Sequence, residues 1–282
     1  MTPRLRATHL RYATRPASWR HVARRAGWAA TGSDHRGPEP LSWPVPDSLR
    51  AQLRLRWPDK YGWPNAGGWI EPLRRGLQAH VRLETAEIAQ PVGNVVLLEA
   101  VAGGRRAQVV IDYDDQLVLH ESADHADLYF KLQYRRGGYD TERGEGAERI
   151  RPGGYVSKQP ALYRHARRWR ALRARTAPRH DVLGRFGTSF QQDIRPQAIG
   201  LLEGQRGFEF YGGTGPVWWG EYMDEMTSAR VCVDLPGRGE LCYRLVEYLG
   251  VLEEQLGFPP SPVSDRERWA AALEAAVIAE RD

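Results

Sequence analysis

Three features of the sequence predict an α/β protein of two domains. The chain has 282 residues, more than the roughly 100 to 200 of a typical domain. After about residue 180, short apolar runs alternate with helical patterns, which favours a parallel α/β unit. Before that point, two β-rich runs join at Gly103-Gly104, a turn that suits a hairpin. We therefore predict an N-terminal domain over 1–178 and a C-terminal α/β domain over 179–282.

The N-terminal domain is predicted to combine loops, strands and one basic helix. Gly37 to Pro72 is rich in Pro, Gly and Trp, so we expect loops with short helical turns, pinned to a core by their tryptophans. Beyond the hairpin, strands are expected at Asp127–Tyr134 and, briefly, at Tyr155-Val156. The spacing of apolar residues then predicts a helix from Leu162 to Arg175.

The C-terminal domain is predicted from a regular succession of strands and helices. The predicted strands are "DVLGRFG", "GFEFYG" and "RVCVDL", and the helices that follow them are "RPQAIGLLEG", "VWWGEYMDEMTSA" and "GELCYRLVEYLG". Strands separated by helices of this length are typical of a parallel sheet, since each crossover needs a helix to return the chain.

Composition places the chain among ordinary globular proteins. Hydrophobic residues make up 41% and charged residues 27%, and no apolar run approaches the roughly 20 residues that span a bilayer. We therefore expect a cytoplasmic protein, with or without peripheral contact with a membrane. Cys232 and Cys242 are expected to be reduced, half-buried thiols.

The basic residues are almost all arginine and are concentrated at the N-terminus. Only Lys60, Lys131 and Lys158 are lysines among 40 basic residues, and the first acidic residue is Asp34. Seven arginines precede it: Arg4, Arg6, Arg11, Arg15, Arg20, Arg24 and Arg25. Such an arm suits an anionic membrane or a polyanion, and it also fits a partly ordered basic terminus. The arginines of the helix that begins at Leu162 could contact nucleic-acid phosphates. The alternative is that they form the solvent-exposed face of an amphipathic helix.

Several common site motifs are not found in the sequence. "HESADH" places His120 and His125 five apart, so on a helix they would diverge, whereas a zinc helix needs two histidines on one face. A loop is expected there instead, and no metal site is predicted. The sequence has no Walker loop, no Ser-centred nucleophile elbow and no complete dinucleotide-binding glycine signature.

The stretch "VCVDLPGRGELCYRLVEYLG" has the elements of a phosphate site. A strand leads through a glycine turn into a helix, and such a turn brings backbone N–H groups and the positive end of the helix dipole together. Gly237 and Gly239 keep side chains out of the way, and Arg238 or Arg244 can add charge-assisted hydrogen bonds. Glu247 could accept from a ribose diol. An ordinary turn is the alternative reading.

The run "DLPGRGELCYRLVEYLG" resembles the donor-binding region of bacterial glycosyltransferases of the two-Rossmann, GT-B type. Four further pieces are similar to one subgroup of these enzymes and occur in the expected order: "VVIDYDD", "DLYFKLQYRRGGY", "PGGYVS" and "DVLGRFG". The resemblance covers roughly Val95 to Gly250. It implies two Rossmann-like domains facing a cleft. The chain departs from the family pattern in the second domain, which we expect to be shortened and incomplete, since little sequence follows the donor helix.

The resemblance also implies a donor site. In that family Glu247 would bind the nucleotide ribose, and Arg238, Arg244 and Arg185 would face the phosphates, beside the glycine turn at Gly237 and Gly239. It further implies a metal-independent transfer without a cofactor, in which arginines and helix N-termini stabilise the leaving diphosphate. The partners would be a nucleotide sugar and a hydroxyl acceptor, which could be a glycan, a lipid-linked glycan or a small molecule.

An acceptor-side general base is implied as well. The candidates are Asp112, Asp115 and His120, and Lys131 would contact phosphate or acceptor. For the two carboxylates the alternative reading is a strand-end group that caps a turn. The sequence thus supports two hypotheses of different class: a glycosyltransferase, and a non-enzymatic basic protein that binds nucleic acid or anionic surfaces.

Overall fold

The structure is a computed structural model that describes residues 16–32, 47–78, 80–135, 149–154, 156–187, 194–235 and 244–251. The helices and strands follow in chain order: α1 (Pro16–Ala30), α2 (Asp47–Gln52), β1 (Arg54–Pro58), α3 (Ala66–Gln78), β2 (Arg82–Ala86), β3 (Val95–Ala102), β4 (Arg105–Asp112), a 3₁₀ turn (Glu121–Asp124), β5 (Leu128–Lys131), β6 (Ile150–Pro152), α4 (Pro160–Arg164), α5 (Ala166–Arg175), β7 (His180–Arg185), α6 (Ile194–Glu203), β8 (Phe210–Gly213), α7 (Trp219–Thr227), β9 (Ala229–Cys232) and α8 (Arg244–Val251).

Internal contacts divide the chain into two units. The three-strand unit comprises Met1–His35, Ala161–Leu235 and Glu247–Asp282, and the six-strand unit comprises Arg36–Pro160 and Pro236–Val246. This division falls between Pro160 and Ala161, whereas the sequence prediction placed a boundary after residue 178. Helices α4 and α5 group with the three-strand unit because Leu162 and Trp169 belong to its core.

The six-strand unit contains a mixed sheet of order β2-β1-β3-β4-β5-β6. Strand β3 is antiparallel to β1 and β4, and the remaining neighbours are parallel, so five strands run in one direction. The predicted hairpin is confirmed: β3 and β4 pair along their length, and Gly103 and Gly104 take φ of 56° and 76°. These values match a type I′ turn, which glycine adopts without strain.

Two sequence predictions for this unit need correction. The stretch 37–72, expected to be loops with short helical turns, contains strand β1 and the first half of helix α3, which continues to Gln78. Ala66 and Ile70 are buried and Leu73 and Leu77 pack on the same core, because their spacing puts them on one helix face despite Pro72 within the helix. Of the short strand expected at Tyr155-Val156, Val156 is not in a strand and Tyr155 falls outside the described residues; strand β6 lies earlier, at Ile150–Pro152.

The tryptophans of this region lie on the core, as predicted, where the structure describes them. Trp57 is fully buried within β1. Trp63 and Trp69 pack against the same core as Trp57, and their ring centroids lie 6.4 Å apart. The prediction for Trp43 falls outside the described residues.

The three-strand unit confirms the predicted parallel α/β pattern. Its sheet has the order β8-β7-β9, and both pairings are parallel. The central strand is covered on both faces, since Val182 packs with residues of α6 and Leu183 with residues of α5 and α7. The helix predicted over Leu162–Arg175 is present but is interrupted at His165.

Cys232 is a free, half-buried thiol at the end of β9, as predicted. Burial raises its pKa to about 12, so the group is a neutral thiol near pH 7. Cys242 falls outside the described residues. Within the described ranges, no helix combines the length and apolar character that crossing a bilayer requires.

His21 anchors α1 to the aromatic core of the three-strand unit. Its ring is 1% exposed, stacks on Trp169 at 5.8 Å and meets Trp218 and Trp219 edge-on. Neither ring nitrogen has a hydrogen-bond partner among the described residues. Burial lowers the pKa of His21 to about 4, and the charges of Arg25 and Arg24 act in the same direction. The folded protein therefore holds a neutral imidazole.

We expect this histidine to make folding sensitive to mild acid. Because its folded pKa lies below the value of 6.5 for an exposed histidine, its contribution is complete above about pH 6.5 and is lost as pH falls toward about 4. The loss amounts to at most about 1.4 kcal/mol per pH unit. Urea unfolding of wild type and His21→Phe, at about pH 7 and about pH 5, measures it. The Phe ring keeps the contacts with tryptophan, so the variant should lose less stability on acidification. Identical pH dependence of the two proteins would contradict this expectation.

Candidate functional site

The carboxyl edge of the six-strand sheet gathers the acceptor-side residues predicted from sequence. Strands β4 and β5 are parallel and end together, with Asp112 directly opposite Lys131. In open α/β sheets ligands bind beyond the carboxyl ends of the strands. The loop after β4 carries Asp115, and the 3₁₀ turn that precedes β5 begins after His120. The structure therefore brings Asp112, Lys131 and the two loops that hold the other candidates to one edge.

Asp112 and Lys131 form a completely buried ion pair. Lys131 Nζ donates to Asp112 Oδ2 over 2.8 Å, and both side chains are 0% exposed. The same oxygen accepts from the hydroxyl of Tyr129, and Asp112 Oδ1 accepts from the N–H of Asp114 over 2.7 Å. Lys131 Nζ also donates to the carbonyl of Asp114 over 3.1 Å. Both carboxylate oxygens are thus engaged, so the pair fixes the ends of β4 and β5 in register.

The environment of Asp112 acts on its pKa in opposing directions. Burial raises the pKa of Asp112, while the charge and hydrogen bond of Lys131 and the Tyr129 hydroxyl act to lower it. Burial outweighs the other influences, so the pKa of Asp112 lies above the ordinary value for aspartate. With its oxygens enclosed by three donors, this carboxylate has no face for an acceptor hydroxyl, which matches the turn-capping alternative.

His120 caps the 3₁₀ turn. Its Nδ1 accepts from the N–H of Ser122 over 3.1 Å, and its Nε2 lies 2.8 Å from the carbonyl of Val92. Those two contacts are compatible with a neutral ring that is protonated on Nε2. The N–H of His120 also donates to the hydroxyl of Tyr129 over 3.0 Å. The backbone N–H of His120 therefore ties the turn to the network of Asp112, while its two ring nitrogens contact Ser122 and Val92.

Asp115 has the more accessible of the two candidate carboxylates. It is half-buried, and Gln133 Nε2 lies 3.5 Å from its Oδ1, a distance at the limit of a hydrogen bond. It lies three residues beyond Asp112 on the loop that leaves the sheet edge. A half-buried carboxylate at this position can meet a ligand hydroxyl without breaking the buried pair.

Tyr129 was missed from sequence, although a signal for it exists. Residues two apart on a strand point to the same face, so Tyr129 and Lys131 on β5 both reach Asp112 on β4. The register that makes this pairing visible is set by the parallel contact of β4 with β5. A pattern of Tyr-x-Lys on one strand, opposite an Asp at the end of its neighbour, would have predicted it.

The three-strand sheet has a topological switch point. The chain passes from the central strand β7 to β8 on one side and then to β9 on the other side. In doubly wound sheets such a reversal opens a crevice at the carboxyl ends of the two strands between which the order reverses, here β7 and β9. The chain leaves β7 through Arg185 and leaves β9 toward Leu235, where "PGRG" follows. The glycine turn singled out from sequence follows Leu235 directly in the chain, and it falls outside the described residues.

Two glycines bring β7 and β8 close together at the same end. Gly184 and Gly212 are paired in register, and Gly212 has φ of 142°. A Cβ at Gly212 would fall on the carbonyl oxygen of Gly184, so this position requires glycine on grounds of space as well as of backbone conformation.

Arg185 is fixed by contacts within its own unit. Its Nε and Nη2 donate to the two carboxylate oxygens of Glu225 over 2.9 and 2.6 Å, and Nη1 donates to the carbonyl of Gly212 over 3.2 Å. The guanidinium also lies 5.0 Å from the ring of Tyr211. Burial acts to lower the pKa of Arg185, but the hydrogen bonds and charge of Glu225 outweigh it and raise the pKa. The arginine thus joins β7 to α7.

The donor residues implied by the resemblance are only partly described. Gly237, Arg238 and Gly239 fall outside the described residues. Arg244 begins helix α8 and is half-buried, and Glu247 lies one turn further and is 3% exposed. The charge of Glu247 is among the influences that raise the pKa of the buried Tyr222. A ribose could therefore reach Glu247 only after a local rearrangement of its surroundings.

A cavity of about 520 Å³ lies on the three-strand unit. Arg185, Tyr211 and Glu225 line it, together with Arg24 and Asp224, which form an ion pair. Arginines and carboxylates pair with one another around this cavity, so its lining presents mixed charge instead of a single sign. Sequence reasoning did not find it, because its residues come from distant elements.

No cluster of three or more potential metal ligands occurs among the residues that the structure describes. No family model and no curated protein matches the chain.

Proposed function

We propose that the chain is a glycosyltransferase of the GT-B type, which moves a sugar from a nucleotide-sugar donor to a hydroxyl acceptor without a metal. The observation that supports the proposal is the order β8-β7-β9, because β9 borders the switch point of a parallel sheet and the family-like stretch "DLPGRGELCYRLVEYLG" follows β9 in the sequence. A glycine turn at the end of β9 that leads toward α8 is where such a sheet would receive a diphosphate.

The proposal assigns the donor to the stretch of sequence that follows β9. The phosphates would meet the backbone of the turn at Gly237 and Gly239, with charge from Arg238 and Arg244. Glu247 would accept hydrogen bonds from the ribose. Arg185 supports the site indirectly, because its bonds to Glu225 join β7 to α7. Its guanidinium would have to leave Glu225 in order to contact a phosphate.

The proposal assigns the acceptor chemistry to the carboxyl edge of the six-strand sheet. Asp115 is assigned as the general base, because its carboxylate is half-buried whereas that of Asp112 is completely buried. Its carboxylate takes the proton of the acceptor hydroxyl. The acceptor oxygen then forms a bond to the anomeric carbon, and the bond from that carbon to the diphosphate breaks, with the electron pair leaving on the diphosphate. Lys131 supports this step by fixing Asp112 and the loop.

A nucleotide titration tests the donor assignment. Calorimetry with UDP, GDP, ADP, CDP and dTDP, and with their sugar esters, should find one base that binds the wild type. Glu247→Gln keeps the volume of the side chain but removes one acceptor and the charge, so we expect its affinity to fall at least about tenfold. Glu203→Gln is the matched control, because Glu203 is an exposed residue at the end of α6 and should leave affinity unchanged.

Three readouts bound the interpretation of this titration. Thermal unfolding of Glu247→Gln must match the wild type before its affinity is compared. A chelator should leave nucleotide affinity unchanged if the reaction is metal-independent. If no nucleotide binds and a polyanion binds with a steep salt dependence instead, the protein is a basic binding protein and the transferase proposal is overturned.

A further inference from the structure

We propose that the outer face of α1 docks the protein on an anionic lipid bilayer. The proposal does not depend on the transferase activity. It rests on an apolar helix face that is exposed to solvent, on arginines that border it, and on the charge of the neighbouring helix. In this proposal the apolar face contacts the acyl chains of the lipids, and the arginines contact their phosphate headgroups.

The inward face of α1 packs against other elements of its own unit. His21 and Trp28 contact the ring of Trp169, and Arg24 forms an ion pair with Asp224 on α7. These contacts fix how the helix is rotated about its axis. They therefore determine which residues of α1 point away from the core.

The outward face of α1 is entirely apolar at its centre. Trp19 is 61% exposed and Val22 is 48% exposed, and exposed alanines continue the same face at Ala23, Ala26 and Ala30. The spacing of these positions puts them within about 100° of one another on a helix. These side chains form one continuous apolar strip instead of scattered single residues. A continuous exposed apolar patch is typical of a surface that binds a partner.

Arginines border this apolar face. At 3.6 residues per turn, Arg20 lies on one side of the face and Arg25 on the other, and both are exposed. Helix α1 contains no acidic residue. An interfacial helix has this arrangement, with its apolar side chains at the boundary of the acyl chains and its cations at the level of the phosphates.

The neighbouring helix extends the positive charge. Helix α5 carries five arginines and no acidic residue. It adjoins the end of α1, since Arg168 Nη1 donates to the carbonyl of Trp28 over 2.9 Å. Arg167, next in sequence, is exposed. Anionic lipids attract such clusters, with a gain of about fivefold in affinity for each basic residue near the surface.

A bilayer explains the combination better than nucleic acid does. A groove for nucleic acid needs cations at its centre, where the phosphates lie, whereas α1 has tryptophan and aliphatic side chains there and cations at the borders. Tryptophan is enriched at the boundary between lipid and water because its ring is apolar and its N–H is polar. The face thus fits headgroups above and acyl chains below.

Vesicle sedimentation with the full chain tests the proposal. We expect the protein to pellet with vesicles of phosphatidylcholine and phosphatidylglycerol at least about tenfold better than with phosphatidylcholine alone, and salt should weaken the binding. Trp19→Gln with Val22→Gln should lower binding to the mixed vesicles about tenfold, since it removes only the apolar part. Val92→Gln is the matched control, because Val92 is 87% exposed and belongs to the six-strand unit.

Every other result counts against a bilayer partner. Equal binding by the wild type and the Trp19/Val22 variant would overturn the proposal, provided that both show the same thermal unfolding. Binding of a single-stranded oligonucleotide without binding of vesicles would assign the face to nucleic acid. Self-association that disappears in the Trp19/Val22 variant, without vesicle binding, would assign it to a second copy of the chain.

Discussion

Lys131→Met is expected to lower the free energy of unfolding by about 3 to 5 kcal/mol, because it leaves a buried carboxylate without its counter-charge. In the wild type Lys131 Nζ lies 2.8 Å from Asp112 Oδ2, and both side chains are 0% exposed. Methionine fills most of the lysine volume, so little of the loss comes from a cavity. Urea unfolding at about pH 7 measures it.

The pH dependence of the variant identifies the cause. Burial raises the pKa of Asp112 even in the wild type, and removing Lys131 takes away its strongest opposing influence. A carboxyl whose folded pKa is raised costs stability when it is ionised; the cost is complete above the folded pKa, declines as pH falls below it, and is gone below the unfolded pKa. The deficit of Lys131→Met should therefore be smaller at about pH 5 than at about pH 7. A deficit that is independent of pH would point to packing alone.

Two further variants complete the experiment. Lys131→Met with Asp112→Asn removes both charges and should recover part of the lost stability. Arg82→Met is the surface control within the same sheet, since Arg82 Nε lies 2.9 Å from Glu84 but its side chain is 71% exposed. We expect that change to cost less than about 1 kcal/mol. A similar loss in Arg82→Met and Lys131→Met would show that burial of the pair contributes nothing.

The secondary structure of the three-strand unit could be predicted because each of its patterns is local. Strands β7, β8 and β9 are short apolar runs bounded by glycine or charged residues, and the helices between them follow the 3.6-residue period. The order of those strands is not local. It follows from which faces of β7 are covered by α6 and by α7, and no short stretch of sequence encodes that choice.

The errors before residue 80 have a different cause. Glycine, proline and tryptophan around Trp57 and Pro72 are typical of loops, but burial of Trp57 and Ile70 outweighs that local preference. Tertiary packing thus decides β1 and α3. The apolar positions at 66, 70, 73 and 77 were the available signal, and a search for a helical period across the proline would have found the helix.

In the candidate site, the sequence identified the residues but not their separate roles. The sequence singled out Asp112 and Lys131, and the register of β4 with β5 places them opposite one another. It could not separate the roles of Asp112 and Asp115, since both follow one strand within a single turn. Burial distinguishes them: Asp112 is 1% exposed and Asp115 is half-buried.

Asp115→Asn is expected to slow sugar transfer by about 10²- to 10⁴-fold, because an amide cannot take the proton of the acceptor hydroxyl. Nucleoside diphosphate affinity should stay at the wild-type value, since the proposal assigns the donor to other residues. Stability should fall less than in Asp112→Asn, because Asp115 is half-buried and its replacement leaves the buried pair of Asp112 and Lys131 in place. The assay follows release of nucleoside diphosphate from the bound nucleotide sugar, in the presence of glycans, lipid-linked glycans and small hydroxyl compounds.

Asp112→Asn is the matched control for that experiment, since it makes the same change three residues earlier in the chain. It leaves the ammonium of Lys131 buried without its counter-charge, so we expect several kcal/mol of lost stability. Nucleotide affinity should persist in the fraction that remains folded. Loss of transfer without loss of stability in Asp115→Asn, and the converse in Asp112→Asn, separates a group that moves a proton from one that holds two strands. Transfer at the wild-type rate by Asp115→Asn would exclude Asp115 as the base.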